Sequence, residues 1–479
     1  MAELTRDKID SALKQVREAL DRNNVQDAIT ILEQLRQDEQ VEVFDELDVE
    51  DQAELLPRLH PETAAEIVAE LDIEGQANIA ERVDDRTLSR ILDEMEPDDA
   101  ADMIGELPEE RQQRVLANME EADDVRPLLI HPDESAGGLM TTSFLTLRPG
   151  MTAQEAIDAL REWNPDDEMP YYLFVVDRER RLVGVVSLRQ LLVASPTRLI
   201  GEIMDPDVIS VPAGTDQEEV ANLMKKYDLL ALPVVDAQNR LLGIITVDDV
   251  VDVIEEETTE DVYRLGAVEP GVGRQPYFKT SILQVVRSRI GWLVLLLLAE
   301  TLTGSALRAF EEELATVVAL TFFIPLLIDA GGNTGSQTVS MIIRGLVLRE
   351  IRPNDTLRVL GRELITGLLL GASLGAIAFL RAELWGSGFF LSLVVGLSLL
   401  AICTWSNLIG SLIPMLAQRF KIDPAVVSAP LITTLVDATG IVIYLNIARL
   451  LIPELPVSYT HLRAHETPEH LVCRLLLEK

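Results

Sequence analysis

Phe322-Phe323-Ile324-Pro325-Leu326-Leu327-Ile328-Asp329-Ala330-Gly331-Gly332-Asn333-Thr334-Gly335-Ser336-Gln337 is apolar enough to enter a bilayer, yet it carries a carboxylate and two amides. A second stretch, Pro430-Leu431-Ile432-Thr433-Thr434-Leu435-Val436-Asp437-Ala438-Thr439-Gly440, repeats the anomaly. An ionisable side chain at membrane depth is costly and usually marks an ion or proton path. The two stretches lie among apolar blocks near residues 288–307, 314–347, 364–381, 389–417 and 425–452. A helical span needs about 20 predominantly apolar residues, so the C-terminal part reads as five membrane helices. Asp437 has no basic residue in its own helix between Lys421 and Arg449. An unpaired carboxylate there is protonated, or it faces water and a cation. Gly331 to Gln337 reads as a loop of small residues where backbones approach closely, with Asn333 and Gln337 supplying amide dipoles. The plainer reading of that segment is a packing seam with two satisfied amides.

Charges between the blocks alternate. Arg287 and Arg289 precede the first, and Glu311, Glu312 and Glu313 follow it. Arg349, Arg352, Arg358 and Arg362 lie between the second and third, and Arg419 and Lys421 between the fourth and fifth. The excess of basic residues on cytoplasmic loops predicts an N-inside, C-outside topology, with the soluble part on the cytoplasmic side.

That soluble part is strongly acidic. Residues 1–270 hold 64 Asp and Glu against 24 Lys and Arg, whereas residues 271–479 hold 15 against 17. Nucleic acid is excluded as a partner, because phosphate binding needs a basic surface. A dense negative field attracts cations, divalent ones most strongly. Salt adaptation is the competing explanation, since only 7 of the 41 basic residues are Lys. Cys403 and Cys473 are too few and too far apart for a disulfide framework or a thiolate metal site, and Cys403 reads as a packed core residue. Met1 to Asp10 is polar, without the apolar stretch of a secretory signal. No Walker loop, nucleophile–base pair or Cys/His metal spacing points to an enzyme.

Two internal repeats organise residues 1–256. His60-Pro61-Glu62-Thr63-Ala64-Ala65-Glu66-Ile67-Val68-Ala69-Glu70-Leu71 returns 36 positions later as Glu96-Pro97-Asp98-Asp99-Ala100-Ala101-Asp102-Met103-Ile104-Gly105-Glu106-Leu107. That period suits stacked helix pairs, with proline in each first turn. Helical spacing puts Asp98 and Asp102 on one face, where such pairs are as a rule solvated surface. The second repeat is of mixed type. Tyr171 to Asp177 and Arg181 to Ser187 correspond to Leu232 to Asp236 and Arg240 to Thr246, each copy being strand, polar turn, strand and capped helix. The pair resembles tandem cystathionine-β-synthase (CBS) domains, which commonly sense a small ligand, often an adenosine nucleotide. An acidic stretch with Glu255, Glu256, Glu257, Glu260 and Asp261 follows, read as a connecting helix ending near Gly266.

An acidic helical domain, a CBS pair, a connecting helix and five spans, in that order, resemble the MgtE family of magnesium channels and transporters. Pro325, Gly331, Gly332, Asn333, Gly335 and Gln337 match one membrane motif of that family, and Pro430, Thr433, Asp437 and Gly440 match another. The resemblance divides the chain into a helical N domain (1–133), CBS domains (134–200 and 201–256), a connecting or plug helix with its linker (257–278), a membrane domain (279–455) and an atypical tail (456–479). It implies a homodimer in the plasma membrane with a pore on its axis and Asp437 as the ion-recognising carboxylate. Gly331, Gly332, Asn333, Gln337, Thr433 and Thr434 are then pore-lining. It further implies regulatory magnesium sites at Glu66, Asp98 and Asp102 in the helical domain. Asp216, Glu218, Asp228, Asp249 and Asp252 would serve in and around the second CBS repeat. Glu257, Glu260 and Asp261 in the connecting helix and Asp423 at the cytoplasmic mouth complete the set, with ATP a candidate modulator at the CBS pair.

Magnesium prefers octahedral oxygen and sheds water reluctantly, so a pore carboxylate would hold the hydrated ion through its water shell. Abundant cytoplasmic magnesium would bridge facing carboxylates and close the path; scarcity would let repulsion open it. The competing readings are a carrier of another divalent ion, cobalt or manganese, and a membrane-anchored nucleotide sensor. An anchor has no use for Asp437. The tail, with His461, His465 and His470, departs from the family's pattern and reads as read-through sequence rather than a functional element.

Overall fold

The computed structural model describes residues 2–163, 171–270 and 280–453. Short helices fill the N-terminal part: α1 (Ala2–Asp21), α2 (Val25–Glu33), α3 (Gln37–Asp45), α4 (Val49–Leu55), α5 (Pro61–Ala69), α6 (Ile73–Arg82), α7 (Asp85–Leu92), α8 (Pro97–Gly105), α9 (Glu109–Asn118) and α10 (Ala122–Val125). The 36-residue echo becomes α5 and α8, each opened by proline at the first turn, where a missing N–H is harmless. Side chains start other helices: Asp72 accepts from Gly75 N at 2.7 Å, and Asp84 from Arg86 N at 3.0 Å. Such caps contribute about 1 kcal/mol each. The apolar faces meet in a core containing Leu32, Phe44, Leu55, Ile67, Leu88 and Ile104. Burying each stabilises by roughly 1.5–3 kcal/mol.

Two α/β repeats follow. The first contains β1 (Thr146–Leu147), α11 (Ala153–Glu162), β2 (Tyr172–Val176), β3 (Leu182–Ser187), α12 (Leu188–Val193) and α13 (Ile200–Ile203). The second contains β4 (Val211–Pro212), α14 (Gln217–Tyr227), β5 (Ala231–Val235), β6 (Leu241–Thr246) and α15 (Val247–Leu265). In each sheet a two-residue strand pairs parallel to the first long strand, which pairs antiparallel to the second. The hairpin turns are built alike. Asp177 Oδ1 accepts from Glu179 N and Arg181 N, and Asp236 Oδ1 from Gln238 N and Arg240 N. The two turns then exchange backbone bonds, Leu182 N to Asn239 O and Leu241 N to Arg180 O. Val220, Leu232, Val234, Val250 and Val253 of the second repeat share the core of the helical domain.

Two compact units divide between Glu257 and Thr258. Helix α15 runs without a break through that point, so the expected connecting helix begins as the last helix of the second repeat.

The second unit contains α16 (Ile282–Ala309), α17 (Glu311–Thr316), a 3₁₀ turn (Val318–Phe323), α18 (Ile324–Val347), α19 (Thr356–Leu384), α20 (Phe389–Arg419) and α21 (Ala429–Leu451). Five helical stretches, 282–309, 318–347, 356–384, 389–419 and 429–451, are long and apolar enough to cross a membrane. Helix α19 lies close against α20 because Gly367, Gly371 and Gly375 recur every fourth residue; a Cβ at Gly371 would sit 2.7 Å from Leu400 O. Small residues permit such approach where water supplies no hydrophobic drive. The segment before α18 is fastened to α21: Tyr444 Oη donates to Leu320 O at 3.0 Å, Arg449 pairs with buried Glu313, and its guanidinium lies 4.4 Å from the Phe310 ring centre. The tail 456–479 and linker residues 271–279 lie outside the described residues.

Candidate ion pathway and regulatory carboxylates

Gly331 to Gln337 is not a loop but the middle of continuous helix α18. Glycine reads as a breaker in water; in hydrocarbon, helix is one of the few ways to satisfy every backbone group. The glycines serve contact instead. A Cβ at Gly331 would meet Ile402 at 2.6 Å and Val436 at 3.0 Å, one at Gly332 would meet Thr433 at 2.8 Å, and one at Gly335 would meet Ser406 at 2.7 Å. Ser406 Oγ also donates to Gly331 O at 2.6 Å. Gly331 and Gly332 are therefore buried against the neighbouring helices, whereas Asn333 and Gln337 are exposed.

The antiparallel contact of α18 with α21 fixes the depth of Asp437. It is 8 % exposed, and its Oδ1 has no hydrogen-bond partner. Thr433 and Thr434, one turn earlier, return their hydroxyls to Ala429 O and Pro430 O at 3.1 and 3.0 Å, and Thr433 Oγ1 lies 3.1 Å from Ser336 Oγ. Asp329, Asn333 and Gln337 recur at four-residue spacing as an exposed polar stripe, with Asn333 Nδ2 donating to Asp329 Oδ2 at 3.1 Å. The charges acting on Asp437 come from Asp329 and from Glu300 on α16. Glu300 was not singled out in the sequence, although it is the sole charge between Arg289 and Arg308.

In the first unit, Asp98 on α8 is likewise 8 % exposed with an unpartnered Oδ1. Burial holds its carboxyl well above the usual range, and Asp249, Asp99 and Glu96 push it further. Asp99 is pushed to about 6 by the surrounding protein and then by Asp249, Glu70 and Asp252, although part of its surface is open to solvent. Burial also raises Asp249, whose Oδ2 accepts from Thr246 Oγ1 at 2.6 Å, and Asp252, where Glu255 and Asp248 add to the effect. The structure therefore brings Asp98, Asp249 and Asp252 into one field and adds Asp99 and Glu70. Glu66 and Asp102 are exposed. Their helical spacing was legible; the convergence of α8 on α15 was not.

The other expected carboxylates have local duties. Asp216 caps α14 by accepting from Glu218 N at 3.0 Å, and Asn222 Nδ2 approaches Glu218 at 3.5 Å. Asp228 closes the same helix in a left-handed conformation. Glu257 accepts from Gln217 Nε2 at 2.7 Å. Arg264 pairs with both Glu260 and Asp423, and Asp261 is half-buried beside them in the chain.

Among the described residues, no three or more His, Cys, Asp or Glu side chains converge closely enough to coordinate a metal directly. The donor chemistry still separates the sites. Around Asp98 an orphaned buried oxygen stands within a carboxylate field, which suits a hard cation. At Asp423 the chain's own arginine already supplies the positive charge.

Family models cover most of the chain. The model described as a divalent cation transporter, MgtE, matches residues 324–447; the MgtE intracellular N domain matches 12–87 and 35–134; the CBS domain matches 136–196 and 200–256. The magnesium transporter MgtE of Thermus thermophilus is 46 % identical over 329 residues, covering 69 % of this chain and 72 % of that protein. The chain belongs to the MgtE family. Its Enterococcus faecalis relative, also a magnesium transporter MgtE, is 38 % identical over 331 residues, covering 69 % of this chain and 72 % of the relative. A crystal structure of the cytosolic domain of the Mg2+ channel MgtE in complex with ATP is 39 % identical, covers 50 % of this chain and 99 % of that one, and superposes with a TM-score of 0.48. MgtE membership makes this a transport protein, with CBS domains and apolar helices long enough for membrane spans.

Proposed function

We propose that this MgtE protein conducts Mg2+ across the plasma membrane as a homodimer, along a path that passes Asp437, and that cytoplasmic Mg2+ closes it. The observation that carries the reading is the buried Asp437 with its unpartnered oxygen, set at the level where α18 and α21 touch. A carboxylate so placed binds a hydrated ion through water, without the cost of stripping a reluctant shell. Asn333 and Gln337 offer amide oxygens along the same route.

The regulatory ion is assigned to the field of Asp98, Asp249 and Asp252, with Glu66, Asp99 and Asp102 at its rim. Metal there would cancel repulsion between α8 and α15 and favour their packed arrangement; without it the carboxylates separate. That differential binding supplies the population shift between closed and open forms. The N-terminal domains are cytoplasmic, the C-terminus extracytoplasmic, and the CBS pair binds an adenosine nucleotide as modulator.

The test is Mg2+ flux into proteoliposomes holding the full chain, with Asp437→Ala alongside. Flux that disappears in the variant while folding persists supports the reading; normal flux refutes it. Block by hexaamminecobalt, a mimic of hydrated magnesium, separates magnesium from cobalt or manganese as the carried ion.

A further inference from the structure

Three carboxylates interrupt three apolar helices of the second unit, one in each. Glu300 is the sole charge of α16 between Arg289 and Arg308; Asp329 is the sole charge of α18 before Arg344; Asp437 is the sole charge of α21 before Arg449. Their depths can be compared. Gly331 and Gly332 of α18 face Val436 and Thr433 of antiparallel α21, which sets Asp329 within about a turn of Asp437. Helix α16 packs on α21, and its Glu300, with Asp329, supplies the negative field at Asp437.

Glu300 and Asp329 are exposed on the surface of the single chain. A carboxylate turned toward hydrocarbon at span centre costs about 2.5–3.5 kcal/mol even on the mildest scale, so such groups turn to water-filled space or to a partner. Asp329 shares its exposed face with Asn333 and Gln337, a stripe that only a polar space accommodates. Independently, Asp437 Oδ1 is buried and lacks any hydrogen-bond partner, an arrangement that persists only when something else satisfies it.

We propose that Glu300 and Asp329 join Asp437 in one carboxylate level that concentrates a hydrated divalent cation in the path and discriminates it from monovalent ions. The inference rests on the reading of Asp437 as the conducting carboxylate and deepens it. Three like charges at one depth repel one another, and a divalent ion relieves that repulsion more fully than a monovalent one. No direct coordination is needed, because the water shell spans the gaps. Glu300 and Asp329 act through charge on the ion's occupancy, whereas Asp437 contacts the shell.

The experiment uses full-length protein in proteoliposomes, with Mg2+, Na+ and K+ as the ions and Glu300→Gln, Asp329→Asn, the double variant and Asp437→Ala compared. The half-saturating Mg2+ concentration should rise about five-fold per carboxylate removed, and monovalent leak should increase. A double variant that melts and elutes like the parent yet keeps the parental half-saturation and selectivity overturns the inference. Should Asp329→Asn fold poorly, Glu300→Gln alone decides, since that side chain is exposed. Normal flux through Asp437→Ala would instead sink the conduction reading, so the two failures are distinguishable.

Discussion

Asp98 in the soluble unit and Asp437 in the apolar unit are the same chemical anomaly in two solvents. Each is 8 % exposed, each has an oxygen without a partner, and each is surrounded by other acids. Around Asp98 the neighbours belong to different elements, α8 and α15, and Asp99 and Asp252 reach solvent. On the proposed function, a proton or an ion arrives there from water, and the helices part when neither does. Around Asp437 the neighbours sit on packed apolar helices, where relief must come along a route. On the proposed function, the first setting would convert ion concentration into packing, and the second would convert a buried charge into a stopping place.

The sharpest way to break this comparison is to remove both. Asp437→Ala should reduce Mg2+ flux to that of empty vesicles, whereas Asp98→Ala should leave conduction intact and shift closure to higher cytoplasmic Mg2+, both read by flux against internal concentration. Next in size is the packing that holds Asp437. Gly335→Leu drives atoms into Ser406 and Ile432, while Gly361 has open space around it. The first should lower stability by about 1–3 kcal/mol in thermal melts, and Gly361→Leu should not. Smaller still is a pair of identical substitutions with opposite sign. Asp85 is engaged by Arg111 at 3.0 Å and Arg114 at 2.8 Å and is held below the usual range by them, so Asp85→Asn should destabilise by about 1 kcal/mol or less. Asp98→Asn removes a carboxyl whose charged form is disfavoured by burial and by its acidic neighbours, and should raise the melting temperature of metal-free protein.

The smallest effect is on pH. Asp99 keeps its proton up to about 6 when α8 and α15 are packed, against an ordinary value near 3.8. Its contribution to packing is therefore complete below the ordinary value and lost as pH rises through about 6. Without magnesium, hydrogen exchange of α8 and α15 should quicken across that window, and added magnesium should restore protection.

Domain order and the spans were legible because apolar length, proline placement and repeated turn chemistry are local. Asp177 and Asp236 announce their hairpins in the sequence itself. The helical state of Gly331 to Gln337 was not legible, since glycine's aversion to helix is measured in water and reverses its weight in a packed apolar bundle. β1 and β4 escaped notice because two residues carry no alternation. Asp99 and Glu70 were missed because their importance arises from α15, far along the chain. Glu300 left a signal, a lone acid in an apolar run, that could have been read.

Arg264 holds Glu260 and Asp423, the latter 159 positions away. A divalent ion arriving at those oxygens meets a rival that never diffuses off, since the tether keeps its local concentration high. Were an ion to bind there, its occupancy would be a displacement rather than an addition. The threshold for that exchange would then depend on how firmly one side chain holds its two carboxylates.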